Sequence, residues 1–382
     1  MGKLKEELQE ILEKMPPPNI AVIGRTGAGK STLINKVFGA ELAKTGTGLP
    51  VSDAFVRYPE SLEEKPLVIV YDSKGYEMER SWQYRDDVVK FLKGKKLQSI
   101  EEQIHLVWYV INAGLKRFEH FDAEIITLLR TEGVPVIVVL SQADIARSDQ
   151  IAKMEETIRN YRSEFKFGEL KIVTAAAEPM YGEPFGVTEL VNLSSELLPD
   201  LYVEALVARQ VVDLELKRKL ASKYIKVSAA ACFATGFVPL PGATSANAIA
   251  AQTALCTKIA SLYGYGEWVE ILDKVGSLTV ASIVTAGITL VLDLFNTIIP
   301  PSTIVSGGLK GGIAATYISI IGATYISVFE KLSLKNLHGV TKAEIEEFIK
   351  VTFREEFRRN SKIRISAKRD LNKIDKLIGN IS

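Results

Sequence analysis

Cysteine and histidine are scarce in this chain. Its two cysteines, Cys232 and Cys256, stand in apolar surroundings. They are too few for a disulfide framework and imply a reducing, cytoplasmic setting. The three histidines, His105, His120 and His338, show no metal-ligand spacing, and His105 opens an apolar run as a core or edge residue would. The three tryptophans are scattered and read as packing. Net charge is nearly absent at +1, so no global field argues for nucleic acid or an anionic membrane. The amino-terminal segment lacks the apolar stretch of a secretory signal. Glu6 stands where a myristoylation signal on Gly2 would carry Ser or Thr.

Charge is also missing locally. No Asp, Glu, Lys or Arg lies between Lys226 and Lys258, between Lys274 and Asp293, or between Lys310 and Glu330. A spanning helix needs about 20 apolar residues. These runs, however, are broken by Gly236, Pro239, Pro241 and Gly242 or filled with Gly, Ser and Thr. A water-soluble helical bundle with close helix contacts, in regulated contact with a membrane, is favoured over stable insertion. Asp293 and Lys310 then mark turns or polar points between helices. The basic tail (Arg354, Arg358, Arg359, Lys362, Arg364, Lys368, Arg369) could touch anionic lipid, but reads first as the solvated face of a terminal helix.

What is present is enough chain for two domains: 382 residues, 47% of them hydrophobic. Residues 1–18 read as a helix with Leu4, Leu8, Ile11 and Leu12 on one face, ended by Pro16, Pro17 and Pro18. From 19 to 198, apolar runs at 20–23, 67–71, 105–111, 134–140 and 171–174 alternate with helical patterns, and 54–58 suggests an antiparallel edge strand. Continuous apolar runs belong to strands buried on both faces, so the predicted fold is α/β, a mostly parallel sheet with helices on both faces. An all-α domain over 199–382 follows, opening with a charged amphipathic helix at 200–224.

Gly24, Arg25, Thr26, Gly27, Ala28, Gly29, Lys30 and Ser31 fit G-x-x-x-x-G-K-[ST] without a mismatch, and Thr32 follows. The motif succeeds a strand and opens a helix, the context a P-loop requires. Glycines let backbone N–H groups face phosphate oxygens, and the helix start adds a favourable dipole. Lys30 reaches the β- and γ-phosphates, and the Ser31 hydroxyl can ligate Mg2+. Asp72 ends a strand as a magnesium-shell carboxylate does, and Gly75 offers its N–H to the γ-phosphate. Asp144 follows the strand at 134–140, where a carboxylate accepts the N1–H and 2-amino hydrogen bonds of guanine. Gln142 accompanies it, and Ala175 and Ala176 follow the last strand at the base side. A magnesium-sensing hydroxyl is expected before the edge strand; spacing favours Ser52 over Thr47 and Thr45.

Together these elements resemble the translation-factor-related GTPases, nearest to the Era and septin-like branches. The succession Gly186 to Leu190, Leu197 to Asp200 and the small-residue run from Pro239 onward is similar to bacterial relatives of the immunity-related GTPases, in which an Era-like domain precedes a hydrophobic helical one. The resemblance implies GTP/GDP as ligand, Mg2+ as cofactor, hydrolysis of GTP, and a switch acting through residues 44–53 and 73–90. It also implies a homodimer or higher homo-oligomer through the GTPase face. Ser141 and Gln142 depart from the usual N-K-x-D form. Tyr76 stands where many GTPases place a water-positioning Gln, which implies slow intrinsic turnover. Arg25 is a candidate catalytic group, in cis or across a dimer, beside the plainer reading of a loop arginine. Membrane remodelling is the alternative function. A ribosome- or RNA-assembly role ranks last, because no RNA-binding motif accompanies the near-neutral charge.

Overall fold

The computed structural model describes residues 3–39, 42, 49–52, 54–59, 66–76, 81–235, 246–265, 268, 271–273, 307–335 and 340–379. These residues cluster into two compact units, one formed by 15–213 and the other by 1–14 together with 214–382. The division falls after Asp213, not at 198, and helix α1 (Lys3–Lys14) belongs with the second unit.

The first unit is built on a seven-stranded sheet in the order β2-β3-β4-β1-β5-β6-β7. Its strands are β1 (Asn19–Gly24), β2 (Leu49–Pro50), β3 (Phe55–Tyr58), β4 (Ile69–Ser73), β5 (Leu106–Asn112), β6 (Val136–Ser141) and β7 (Lys171–Thr174). Five pair in parallel; β2 and β3 close one edge antiparallel. The antiparallel edge and all five apolar runs match the sequence reading. The two-residue β2 carries no periodicity that a sequence could show.

Strand residues alternate between faces, and the middle of β5 shows what this achieves. Trp108 stacks on Phe38 of α2 (Lys30–Phe38) at 5.8 Å and donates its indole N–H to Ser194 of α6 (Val187–Leu197) at 3.0 Å. Its neighbour Tyr109 points to the other face and donates to Asp122 of α4 (His120–Thr131) at 2.9 Å. Helices α3 (Ser81–Lys96) and α5 (Ser148–Phe165) share that second face, with Phe91 and Val88, Met154 and Ile158 in one buried cluster with Tyr109. Each aromatic ring is wholly buried, and its polar atom is satisfied.

The helix expected over 200–224 is two helices, α7 (Asp200–Arg209) and α8 (Leu214–Thr235). Gln210 breaks it. Its fully buried side chain accepts from the N–H groups of Val212 and Asp213 at 2.8 and 2.7 Å and donates to the Asp213 carbonyl at 2.8 Å. A local side-chain network thus replaces the helical ladder.

In the second unit, α9 (Ala246–Tyr263), α10 (Gly307–Leu334) and α12 (Lys373–Gly379) pack with α8, α11 (Lys342–Asn360) packs on α10, and α1 lies on α9. The uncharged run after Lys310 becomes α10, so Lys310 lies inside a helix and does not mark a turn. Thr316, Ser319, Thr324 and Ser327 donate to carbonyls one turn back, which lets hydroxyls lie buried among apolar neighbours. Glu330 near its end receives Arg218 of α8 at 2.8 and 2.6 Å and the Tyr263 hydroxyl at 3.0 Å. Among the described residues no helix is long and apolar enough to cross a membrane. The run from 275 to 292, Asp293, His338, and the breakers Gly236, Pro239, Pro241 and Gly242 lie outside the described residues.

Candidate functional site

The loop between β1 and α2 turns at the carboxyl edge of the sheet. Gly24 passes so close to β5 that a Cβ there would lie 2.2 Å from the Val110 carbonyl oxygen. Lys30 is buried, and its ammonium donates to the carbonyls of Gly24 and Arg25 at 3.2 and 3.0 Å. The Ser31 hydroxyl donates to Asp72 Oδ2 at 2.9 Å. Burial pushes the Lys30 pKa down, with Asp72 opposing, and pushes the Asp72 pKa up, with Lys30 and Ser31 opposing.

Asp72 Oδ1 is buried without a hydrogen-bond partner. A native protein rarely leaves such an acceptor unsatisfied. A hard divalent cation takes oxygen ligands, and this carboxylate oxygen beside a serine hydroxyl suits Mg2+. Among the described residues there is no cluster of three or more His, Cys, Asp and Glu that could hold a metal ion.

Gly75 lies against the loop. Its φ is 82°, and a Cβ on it would fall 2.6 Å from the Thr26 nitrogen, so only glycine fits. The next residue, Tyr76, is held on three sides. Its carbonyl accepts from Thr26 N–H at 3.4 Å, its ring lies under the Arg25 guanidinium, and its hydroxyl donates to buried Asp122. Burial first, then the Asp122 charge, pushes the Tyr76 pKa up. Arg25 donates to the Tyr76 hydroxyl at 3.3 Å and pairs with Glu119 at 2.5 Å. Burial alone would lower the guanidinium pKa; the hydrogen bonds to Glu119 and Tyr76 outweigh it and raise it.

On the other side of the P-loop opens a pocket of about 350 Å3 whose walls include Gly29, Thr32, Ser141, Gln142, Asp144 and Ala176. Ser141 lies between the carbonyls of Ala28 and Ile111, at 2.7 and 3.1 Å, and binds the end of β6 to the P-loop. Gln142 donates to the Gly27 carbonyl at 3.0 Å. Asp144 accepts the Met180 N–H on Oδ2 at 2.8 Å, which orients the carboxylate at the pocket wall. Ala175 is bonded to both sides of the same loop, through its N–H to Leu140 and its carbonyl from Ala143.

The structure therefore brings Gly24 through Thr32, Asp72, Gly75, Gln142, Asp144, Ala175 and Ala176 to one edge of the sheet. Ser52 is engaged differently: its hydroxyl accepts from Phe55 and Ala54 N–H at 3.0 and 3.3 Å. It lines a separate groove of about 790 Å3 with Lys74, Lys90 and Lys95. Thr45 and Thr47 lie outside the described residues. His105 directly precedes the interior strand β5 and accepts the Asn19 N–H at 2.9 Å. Three residues outside the sequence motifs also belong here: Glu119 and Asp122, which hold Arg25 and Tyr76, and Asn112, which holds Gln142. Only their position after the strand at 105–111 hints at this.

Residues 19–142 match the family model described as 50S ribosome-binding GTPase. The probable GTP-binding protein EngB of Aquifex aeolicus is 27% identical over 196 residues, 48% of this chain and 97% of that protein. GTPase Era of Geobacter metallireducens is 26% identical over 180 residues, 47% of this chain and 55% of its own length. Cell division control protein 10 of Saccharomyces cerevisiae is 26% identical over 176 residues, 39% of this chain and 53% of that protein. The chain thus spans nearly all of the first and about half of the other two. In fold, motif order and these matches the sheet-bearing unit is similar to P-loop GTPases.

Proposed function

We propose that this chain binds GTP with Mg2+ at the edge of the sheet, hydrolyses it to GDP and phosphate, and works as a nucleotide-dependent switch. The observation that carries the reading is the pairing of two carboxylates on either side of one P-loop. Asp72 has an orphaned buried oxygen beside Ser31 and Lys30, and Asp144 presents a carboxylate to a base-sized pocket.

In this reading the P-loop N–H groups cradle the phosphates, and Lys30 exchanges the Gly24 and Arg25 carbonyls for phosphate oxygens. Ser31 and Asp72 would hold Mg2+, which would supply positive charge against the phosphates. Asp144 selects guanine by accepting two hydrogen bonds that adenine cannot donate. Gly75 N–H senses the γ-phosphate, so nucleotide state acts on 44–53 and 73–90. The Tyr76 hydroxyl is committed to Asp122 and cannot align a water as a glutamine amide does, which makes unaided turnover slow. Arg25 would have to leave Glu119 to reach a phosphate.

Phosphate release from GTP tests this directly. Lys30→Ala is expected to lower turnover by about a hundredfold or more, the scale of losing a major charge on the transferred group. Asp144→Asn is expected to move preference from guanine to xanthine nucleotides. Unchanged GTP affinity in that variant would remove the guanine assignment. Dimerisation across the GTPase face would appear as specific activity rising with protein concentration, and lipid contact as flotation with liposomes in GTP but not GDP. The description of the matching family favours a second reading, attachment to the large ribosomal subunit, which co-sedimentation in GTP against GDP would test.

A further inference from the structure

We infer that Asn112, at the end of β5 and outside every nucleotide motif, is a positioning residue that sets the spacing between the base and phosphate subsites by orienting Gln142. This rests on the nucleotide-site reading above. Asn112 Oδ1 accepts the Gly114 N–H at 2.8 Å, which fixes its amide the one way round. Its Nδ2 therefore faces Gln142 Oε1, at 3.0 Å. With that oxygen occupied, Gln142 Nε2 faces the P-loop and donates to the Gly27 carbonyl, at 3.0 Å. The result is a directed relay from the Gly114 N–H through two amides to Gly27.

Direction matters because a glutamine amide has two faces. Turned over, Gln142 would set Oε1 against the Gly27 carbonyl, acceptor against acceptor, and the tie between loops would be lost. The lysine of the usual N-K-x-D form has no such ambiguity, since an ammonium donates in every direction. A neutral amide at this position needs a partner that decides its orientation. Gln142 is also held from below. Its φ of 50° is left-handed, and its amide lies against Gly29, where a Cβ would stand 3.3 Å from Nε2. Asp144 is two residues further on. Whatever fixes Gln142 on Gly27 therefore fixes the base-reading carboxylate relative to the phosphate-holding loop.

The test is a double-mutant cycle read by displacement of a fluorescent GDP analogue, with GTP and GDP as competitors. Asn112→Asp keeps the acceptor for Gly114 but removes the donor, and Gln142→Met removes both bonds of the amide. Each is expected to weaken GTP and GDP alike by about tenfold, the upper scale of one lost hydrogen bond. Because the two act in series, the double variant is also expected to lose about tenfold, not a hundredfold. Asn112→Asp/Gln142→Lys, in which the introduced ammonium bridges the introduced carboxylate and the Gly27 carbonyl, is expected to return to within about twofold of the unaltered chain.

Losses that multiply in the double variant would overturn the inference, because Asn112 would then act independently or by charge alone. So would unaltered affinity in Asn112→Asp. Should that variant fail to fold, as judged by its thermal transition, Asn112→Ser replaces it in the same cycle, keeping an acceptor and lacking the amide donor. An unaltered chain that binds no guanine nucleotide would refute the site reading itself, a result distinct from any of these.

Discussion

Tyr76 is the residue that anchors the segment following Gly75. It directly follows Gly75, where motion on nucleotide exchange is expected, yet it is 4% exposed and surrounded by Tyr84, Phe121 and Tyr109. Its hydroxyl is one of three donors to Asp122, with Tyr109 O–H and Glu119 N–H. Tyr76→Phe is therefore expected to cost about 1–3 kcal/mol in urea unfolding, because it leaves a buried carboxylate short of a partner. GTP turnover is expected to stay within about threefold, since the hydroxyl anchors and does not align water. A much larger loss of turnover would make the hydroxyl a participant. The P-loop half of the candidate site was legible in the sequence because a P-loop is a contiguous run whose meaning lies in its spacing. The ties holding it were not. Arg25 meets Glu119, and Gln142 meets Asn112, across separations that no periodicity encodes.

At the scale of elements, apolar runs reported the strands well, because a strand covered on both faces has no polar side to confuse the pattern. Helices were read less well where a single buried polar side chain decides the outcome. Gln210 ends α7 by bonding its own neighbours, and nothing about a glutamine in an amphipathic stretch announces this. The hydroxyl-rich run of α10, which argued against a membrane span, forms a helix whose hydroxyls bond within it. Its one buried carboxylate sets its position against α8. Glu330 is 5% exposed and depends on Arg218 for two of its bonds. Arg218→Leu is expected to destabilise the helical unit by about 3–5 kcal/mol in denaturant unfolding, the cost of stranding a buried charge. Arg218→Leu/Glu330→Gln should recover most of that, because the neutral amide keeps the Tyr263 hydroxyl and carries no charge. Failure of the second change to recover stability would show that packing, not charge, is what Arg218 supplies.

For the whole molecule, the informative feature is which helices belong together. The amphipathic face of α1 shows that the helix needs an apolar partner, but not where in the chain the partner is. The structure places that partner in α9, with Leu8 of α1 buried. Removing residues 1–14 is accordingly expected to lower the thermal transition of the helical unit while GTP affinity stays within about twofold. A change in affinity larger than that would mean α1 serves the nucleotide unit as well.

The same arrangement bears on synthesis. The sheet-bearing unit is an insertion within the helical one, entered after Lys14 and left at Leu214. Domains tend to fold as units while the ribosome is still adding residues. The nucleotide unit can therefore close, and admit its ligand, while α1 still awaits the helices that will cover it. During that interval the sheet-bearing unit is complete while the helical unit is not, and the apolar face of α1 has no cover.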